Sequence, residues 1–450
     1  MSNELKPLHF DADYTMEEAL AEAKRCLNCP KPLCRMGCPI ENEIPRFIQA
    51  IAHGNFGEAN DILAERTNLP SICGRVCPRE NQCEGNCIMN KAKKPPINIG
   101  KLERFAADFE SINELRKPKK IKQDLGKVAV VGSGPAGLSV AGDIAKLGYE
   151  VTVFEGQSEP GGVLLFGIPE FRLSKSVVRR EIARLEGLGV KFVCNTFIGQ
   201  DKTLDELFAE GFDSIFIGTG THIPQEVRME NDEVHGVFQA MYLLTNVQLV
   251  DNGELDAEQI PVKKGDRVII IGGGNVAMDA ARTCVRLGCE SVTVAYRRSQ
   301  EQMPALLSEY EEARAEGVQF QWFASPVGVE GKDKVEGFKY EVMALNEDGA
   351  GIHGTGNYQV MPVDKIIIAA GHKPNARLIG EGNNLKVDEK GYIITSEDPY
   401  GMTNRDGVFA GGDVVHKPAT VVLAMREAKK AVDGMVKYME IKKAQESINQ

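Results

Sequence analysis

The sequence lacks the features of a membrane or secreted protein. No stretch of its 450 residues approaches the roughly 20 consecutive apolar residues that a membrane-spanning helix needs. The first residues, MSNELKPLHF, have neither the charged nor the apolar region of a secretory signal. A basic stripe is also missing, because residues 1–126 carry 19 Lys and Arg against 18 Asp and Glu, and the whole chain has a net charge of −11. We therefore expect a cytoplasmic protein that binds neither membranes nor nucleic acid.

Cysteine is scarce outside two short runs near the N-terminus. Of the 11 cysteines, those beyond the two runs are Cys194, Cys284 and Cys289, and none of them forms a Cys-x-x-Cys pair. A dithiol relay of the thioredoxin-reductase kind is therefore not expected. We expect these three residues to pack as small apolar side chains.

The two runs have the spacing of metal ligands. The first reads Cys-x2-Cys-x4-Cys-x3-Cys and is followed by Pro39, and the second reads Cys-x3-Cys-x5-Cys-x3-Cys. Their members are Cys26, Cys29, Cys34, Cys38, Cys73, Cys77, Cys83 and Cys87. Eight thiolates suit two [4Fe–4S] clusters, and the Cys-Pro ending is similar to that of bacterial ferredoxins. Four-cysteine zinc sites are the alternative, whereas a disulfide framework fits a chain of this length poorly.

The residues around the two runs have helical patterns. Thr15 can cap a first helix over 15–29, and Glu18 completes a capping box. Helical periodicity continues over 45–53 and 55–66. We therefore interpret residues 1–115 as a small helical domain, followed by a basic, Pro-containing linker at 116–126.

Beyond the linker, strands and helices alternate. An apolar strand over 127–131 leads into a glycine-rich turn at 132–137, a helix, a second strand over 150–154 and then Glu155. In this order the first glycine makes the tight turn and the second lets a pyrophosphate approach the backbone. The third allows the helix to pack closely against the strand. The acidic residue accepts hydrogen bonds from a ribose. The segment therefore predicts a dinucleotide site.

A second copy of the pattern begins at residue 267. A strand over 268–271 meets a glycine-rich turn at 272–277, and the next strand, 291–295, is followed by Arg297 and Arg298 where the first copy has an acid. Guanidinium groups bind a ribose 2′-phosphate that a carboxylate would repel. We therefore favour NADP(H) over NAD(H) here, the alternative being that the two arginines form a solvated loop.

The remaining apolar segments suit a fold in which one dinucleotide unit interrupts another. The segments 212–220 and 365–371 are strands that end in small residues, and 407–413 is a strand that leads to a glycine turn and an acid. A helix over 420–431 would aim its first N–H groups at a bound group. The expected fold is α/β, with an N-terminal helical iron–sulfur domain at 1–120 and two nested Rossmann-like domains. The outer one spans 121–240 and 376–450, and the inner one spans 241–375.

Four segments carry a resemblance to a known family. They are CGRVCPRENQCEGNC at 73–87, GGVLLFGIPEFRL at 161–173, YRRSQEQMPA at 296–305 and VFAGGDV at 408–414. From Cys26 to the helix after Asp413, the chain resembles the small chains of NADPH-dependent glutamate synthase. It is also similar to the N-terminal part of dihydropyrimidine dehydrogenase and to the large subunit of electron-bifurcating NADH-dependent ferredoxin:NADP oxidoreductase.

The resemblance implies which residues bind the two dinucleotides. FAD would contact Gly132, Ser133, Gly134, Ala136, Gly137, Glu155, Gly162, Val163, Arg172, Gly412, Asp413, Thr420 and Val421. NADP(H) would contact Gly273, Gly274, Asn275, Val276, Arg297, Arg298, Ala370 and Gly371. No side chain is expected to act as a catalytic acid or base, because hydride transfer between nicotinamide and flavin needs only correct placement.

The resemblance also implies that ligands cross between the cysteine runs. One cluster would be held by the first three cysteines of the first run and the last of the second, namely Cys26, Cys29, Cys34 and Cys87. The other would be held by Cys38, Cys77 and Cys83, with either Cys73 or Glu103 as its fourth ligand. The family pattern favours Glu103, whereas the softness of a thiolate favours Cys73.

The implied function is electron input to another polypeptide. NADPH would reduce FAD, and FAD would pass single electrons through two [4Fe–4S] clusters to a partner subunit. The partner expected from the resemblance is an FMN-containing synthase chain. The alternative is a [2Fe–2S] flavoprotein subunit, if the chain belongs to a bifurcating oxidoreductase.

Overall fold

The structure of the protein is a computed structural model, and it describes residues 14–112, 121–347, 351–374, 383–417 and 420–448. The linker predicted at 116–126 lies partly outside the described residues, since 116–120 are not among them. Within the described part of the chain, no helix is both long and apolar enough to cross a membrane.

The region before residue 113 contains seven described helices. They are α1 (Met16–Lys24), α2 (Leu33–Met36), α3 (Ile44–Ala52), α4 (Phe56–Ala64), α5 (Pro70–Val76), α6 (Ile88–Lys91) and α7 (Ile99–Ile112). The predicted capping box of α1 is confirmed: Glu18 N–H donates to Thr15 Oγ1 at 3.2 Å, and Thr15 N–H donates to Glu18 Oε2 at 2.8 Å. The helix is shorter than predicted, because it ends at Lys24 and leaves the first cysteine run outside it.

These helices share one apolar core. The amphipathic helix α3 buries Ile44, Phe47, Ile48 and Ile51 on one face. The rings of Phe56 on α4 and Phe105 on α7 meet edge to face with their centroids 5.2 Å apart. Cysteines of the second run, Cys83 and Cys87, belong to the same buried cluster. The core therefore positions the thiols as well as the helices.

The first parallel sheet has the order β15-β4-β1-β2-β3. Its strands are β1 (Lys127–Val131), β2 (Glu150–Phe154), β3 (Lys191–Val193), β4 (Ser214–Ile217) and β15 (Val408–Ala410). The helices of this part of the chain are α8 (Pro135–Lys146), α9 (Val163–Phe166), α10 (Lys175–Gly187), α11 (Leu204–Ala209) and α15 (Val421–Ile448). Because β15 returns to this sheet from near the C-terminus, the predicted nesting of one unit within the other is confirmed.

The second parallel sheet has the order β6-β13-β7-β8-β9. Its strands are β6 (Val237–Gln239), β7 (Arg267–Ile271), β8 (Ser291–Tyr296), β9 (Gln319–Trp322) and β13 (Lys365–Ile368), with helices α12 (Ala240–Asp251), α13 (Asn275–Arg286) and α14 (Leu307–Ala315). An antiparallel sheet follows, made of β10 (Ala324–Glu330), β11 (Gly337–Leu345) and β12 (Ile352–Pro362). Two short strands, β5 (Ile223–Pro224) and β14 (His372–Lys373), complete the described strands.

The described residues form two compact units. One unit contains 166–171 and 224–372, and therefore the second parallel sheet. The other contains the remaining described residues, so the helical region and the first parallel sheet belong to the same unit.

Within each parallel sheet, the register brings the carboxyl ends of neighbouring strands to one edge. In the first sheet Ile217 is paired with Val131 and with Ala410, so the three following loops begin side by side. In the second sheet Ile271 is paired with Ala295 and Ile368, with the same consequence. In open parallel sheets this edge is where nucleotides bind.

Candidate functional site

Four cysteines from both runs line one cavity in the helical region. Cys26 follows α1, Cys29 lies in the next loop, Cys34 is part of α2, and Cys87 directly precedes α6. All four line one cavity, whose other walls are apolar and include Ile44. The structure thus brings together the first three thiols of one run and the last thiol of the other.

A second group gathers near α5 and α7. Cys73 lies on α5, Cys77 at its end, and Glu103 on α7. Glu103 is only 8% exposed, and its charge acts on the thiols of Cys38, Cys77 and Cys83. Both candidate fourth ligands are therefore neighbours of this group.

The two candidates differ in their other contacts. Cys73 Sγ lies 3.7 Å from Met425 Sδ on α15 and 3.8 Å from Thr67 Oγ1, and it also forms a hydrogen bond with Cys77. The Glu103 carboxylate accepts a long hydrogen bond, 3.5 Å, from Asn42 Nδ2. Cys73 thus contacts both the C-terminal helix and the ligand candidate Cys77, whereas the charge of Glu103 acts on all three of the other candidates.

Burial of these groups opposes their ionisation. Burial raises the pKa of the Cys34 and Cys38 thiols to about 11 and that of the Glu103 carboxyl to about 8. Metal ligation needs the deprotonated forms, so a bound cationic centre would have to displace the protons. Among the described residues, no three His, Cys, Asp or Glu side chains converge closely enough to hold a single metal ion.

The first glycine-rich turn is closely packed at Gly132 and Gly137 and open at Gly134. A Cβ added to Gly137 would lie 1.9 Å from Gly132 O, which is why the third glycine of the pattern has no side chain. Gly132 itself has φ of +95°, and a Cβ there would lie 2.8 Å from Gly218 O. At Gly134, in contrast, a Cβ would meet no atom within 4 Å. The space in front of Gly134 is open to a ligand.

Glu155 holds this turn in place. Its Oε2 accepts hydrogen bonds from the Ser133 N–H at 3.0 Å and from Ser133 Oγ at 2.5 Å, while Oε1 accepts one from Gln157 N–H at 2.9 Å. Ser133 Oγ in turn accepts one from Gly161 N–H at 2.8 Å. The acid is 9% exposed, so the network ties the Gly161 loop to the turn. Gly162 packs directly against Gly134, since a Cβ added to Gly162 would lie 2.9 Å from Gly134 Cα.

The C-terminal part of the chain closes the same edge of the first sheet. Gly412 has φ of +76°, and a Cβ there would lie 2.8 Å from the Cβ of Ala136 on α8. Burial raises the pKa of the neighbouring Asp413 to about 6. Thr420 Oγ1 accepts a hydrogen bond from Leu423 N–H at 3.3 Å and so caps α15, where Val421 is the first helical residue. Of the other residues expected here, Val163 begins α9 and is 45% exposed, and Arg172 follows that helix.

The second glycine-rich turn resembles the first, but Gly273 stands where the first turn has Ser133. A Cβ on Gly272 would lie 2.4 Å from Ala369 O, and one on Gly273 would lie 2.6 Å from the Tyr296 ring, whereas Gly274 faces open space. Asn275 begins α13, followed by Val276, and its Oδ1 accepts a hydrogen bond from Leu306 N–H at 3.0 Å.

The side chains beside this turn are basic. Arg297 and Arg298 follow β8, and both are exposed. Within the described ranges, neither guanidinium forms an ion pair. Ala370 and Gly371 follow β13, whose end is next to that of β7. The predicted residues of the second site therefore lie along one sheet edge.

Two side-chain clusters were not predicted from the sequence. His416 Nε2 lies 3.4 Å from Glu427 Oε2, which also accepts a hydrogen bond from the Tyr400 hydroxyl. Cys284 and Cys289 hydrogen-bond to each other, because a Schellman motif ends α13: Cys289 N–H donates to Cys284 O at 3.2 Å. Neither contact has a sequence signal, since the partners are brought together by a helix end or by tertiary packing.

Two known families match the chain, one on each side of residues 116–125. Residues 6–115 match the family described as dihydropyrimidine dehydrogenase domain II, 4Fe-4S cluster. Residues 126–428 match the pyridine nucleotide-disulphide oxidoreductase family.

Individual relatives match over most of the chain. The glutamate synthase [NADPH] small chain of Escherichia coli K12 is 37% identical over 436 residues, which cover 94% of this chain and 92% of the relative. The NAD-dependent dihydropyrimidine dehydrogenase subunit PreT of Escherichia coli O157:H7 is 34% identical, with 94% of each chain covered. The structure of Mycobacterium tuberculosis FprA in complex with NADPH matches with a TM-score of 0.58 at 20% identity, over 71% of this chain and 86% of that one, which supports the fold alone.

Proposed function

The chain belongs to the family of NADPH-dependent glutamate synthase small chains and is an NADPH-dependent iron–sulfur flavoprotein, and from this premise we propose that it is an electron-input subunit. In this proposal electrons pass from NADPH to FAD, then through two [4Fe–4S] clusters to an FMN-containing synthase chain. Bound NADPH and FAD together supply hydride transfer and the conversion of an electron pair into single electrons.

One observation carries this proposal. Cys73, next to the second group of ligand candidates, is in contact with Met425 on α15 at 3.7 Å. The same helix begins beside Thr420, one of the residues expected to face the flavin. The flavin-facing helix and the cysteine group are thus packed directly together within one compact unit. Such packing suits electron transfer, which needs closeness of the redox centres and no mobile carrier.

The proposed ligand sets follow the two groupings of cysteines. We assign Cys26, Cys29, Cys34 and Cys87 to one cluster because they line one cavity. We assign Cys38, Cys77 and Cys83 to the other, with Glu103 as fourth ligand. The charge of Glu103 acts on all three of these thiols, whereas Cys73 acts on Cys38 and Cys77 and its thiol also contacts Met425 and Thr67.

The dinucleotide sites are proposed on the open space at each turn. Gly134 and Gly274 are the second glycines of their patterns, and each faces space that a pyrophosphate can fill. Glu155 orders the first turn through Ser133 and leaves lone pairs for a ribose. Arg297 and Arg298 are exposed at the position where the 2′-phosphate of NADPH binds in a Rossmann unit. These side chains bind and orient, and none is required to move a proton.

The purified holoprotein tests this proposal. With NADPH it should reduce a tetrazolium dye, and it should contain about eight iron atoms per chain if both clusters are present. Co-purification of an FMN-containing synthase chain supports the synthase function. The chain could instead co-purify with a [2Fe–2S] flavoprotein and reduce ferredoxin only when both NADPH and NAD are present. That result would replace the synthase function by the bifurcating alternative.

A further inference from the structure

Two of the segments that line the first cysteine cavity carry positive charge only. Residues 24–38 contain four Lys and Arg and no acid, and residues 88–101 contain another four and no acid. Together they contribute +8 to a chain whose net charge is −11, so all other residues sum to −19. Positive charge is therefore concentrated in these two segments of an otherwise acidic protein.

The two segments are joined in space. Arg25 Nη2 donates to Pro95 O at 2.6 Å, and Cys87 and Met89 line the same cavity as Cys26. Residues from both sequence segments thus surround one opening.

Five lysines of these segments are exposed, and we call them the basic rim: Lys24, Lys31, Lys91, Lys93 and Lys94. In the described part of the chain, no salt bridge engages any of them. The arginines of the first segment differ, because Arg25 is paired with Glu22 and Arg35 with Glu43. The rim thus consists of exposed cations that form no ion pair among the described residues, and exposed positive charge of this kind attracts an anionic surface.

Large apolar side chains lie exposed in the same stretch. Met36 is 76% exposed and Leu27 is 64% exposed, and Leu27 also lines the cavity. Apolar side chains surrounded by charged ones are the composition of a protein–protein interface, with its apolar centre and polar rim. Neither side chain can contact a nucleic-acid phosphate through charge or a hydrogen bond, so the surface favours a protein partner.

We propose that the basic rim, with Leu27 and Met36, is the surface on which an acidic electron-accepting protein docks over the first cluster. This inference rests on the proposed function. The cavity lined by four thiols lies under the rim, so an acceptor seated there would be close to the cluster. Charge complementarity commits the occupant to a protein whose surface around its own redox centre is negative. Lysines at the rim would speed the encounter, and the two apolar side chains would lie in its centre.

A charge-reversal experiment on the holoprotein tests the proposal. The variant Lys91→Glu/Lys93→Glu/Lys94→Glu is compared with the matched control Lys332→Glu/Lys386→Glu/Lys390→Glu, whose three exposed lysines lie outside both segments. Rubredoxin, an acidic iron–sulfur protein, is the probe, and cytochrome c, a basic haem protein, is the opposite probe. Binding is measured by surface plasmon resonance, and NADPH-driven reduction of each probe is measured at low and high salt. Iron content and dye reduction report on the integrity of each variant.

The rim variant should bind and reduce rubredoxin about tenfold or more weakly than the wild type at low salt, and the difference should shrink at high salt. It should reduce cytochrome c faster, and the control should behave as the wild type with rubredoxin. Unchanged rubredoxin binding in the rim variant would overturn the proposal. So would light scattering that shows a self-associated wild type and a dissociated rim variant, since the surface would then bind a second copy. A wild type that binds rubredoxin but reduces no dye would refute the proposed function without contradicting the docking surface.

Discussion

Replacing Arg297 and Arg298 by alanine should weaken the binding of NADPH selectively. Both side chains are exposed, and neither forms an ion pair within the described residues. Their removal should therefore change the stability of the fold by less than about 0.5 kcal/mol, as for other exposed positions. Any loss of affinity then reflects the lost contact with the ligand.

The magnitude follows from the chemistry and the exposure of the two guanidinium groups. A hydrogen bond to a charged group is worth about 1.5–3 kcal/mol, and an exposed position places each arginine near the lower end of that range. A loss of about 1.5 kcal/mol corresponds to roughly tenfold in affinity for each side chain. The double variant should therefore bind NADPH up to about 100-fold more weakly, while NADH, which has no 2′-phosphate, should lose little.

The assay is a titration of the holoprotein with each nucleotide, together with the KM for NADPH and NADH in dye reduction. Arg314→Ala is the matched control, because Arg314 is also exposed and lies on α14 of the same compact unit. Equal losses of NADPH and NADH affinity would show that the two arginines support the loop and do not recognise the 2′-phosphate. A loss confined to NADPH in the Arg314 variant as well would point to a general charge effect.

Further expected outcomes concern the clusters and the flavin. Cys29→Ser and Cys87→Ser should each remove roughly half of the iron and affect the same cluster in electron paramagnetic resonance spectra; damage to different clusters would refute the crossed ligand set. Cys73→Ser should keep the full iron content, whereas Glu103→Gln should shift the reduction potential of the second cluster, and the reverse pattern would make Cys73 the ligand. Gly134→Val should yield a folded protein without bound FAD, since the added atoms enter open space in the apoprotein; normal flavin content would contradict the proposed FAD site.

Local signals in the sequence predicted the parts of the site that depend on neighbouring residues. The strand over 127–131 and the one over 150–154 occur with the predicted bounds, because continuous apolar runs bounded by glycine turns indicate buried parallel strands. The capping box at Thr15 and Glu18 is equally local. The strand predicted over 407–413, from an apolar run that leads to a glycine turn and an acid, is present as β15 and returns to the first sheet.

Features that depend on packing between distant segments were beyond sequence reasoning. The exposed strand β12 has almost no alternation of buried and exposed residues, so the antiparallel sheet had no period-two signal. Helix α15 continues to Ile448, well past the predicted end at 431. Gly434 does not end it, because this glycine lies within the helix where Tyr400 packs closely: a Cβ there would lie 2.3 Å from Tyr400 O. The contact of Cys73 with Met425 joins residues 352 positions apart and depends on how two helices pack.

The measurement that tests the central claim most directly is amino-acid analysis of the reaction catalysed by the isolated holoprotein. Supplied with NADPH, glutamine and 2-oxoglutarate, the chain should reduce a tetrazolium dye and form no glutamate until an FMN-containing synthase chain is added. Formation of glutamate by the chain alone, at a rate comparable to its dye reduction, would contradict its role as an electron-input subunit.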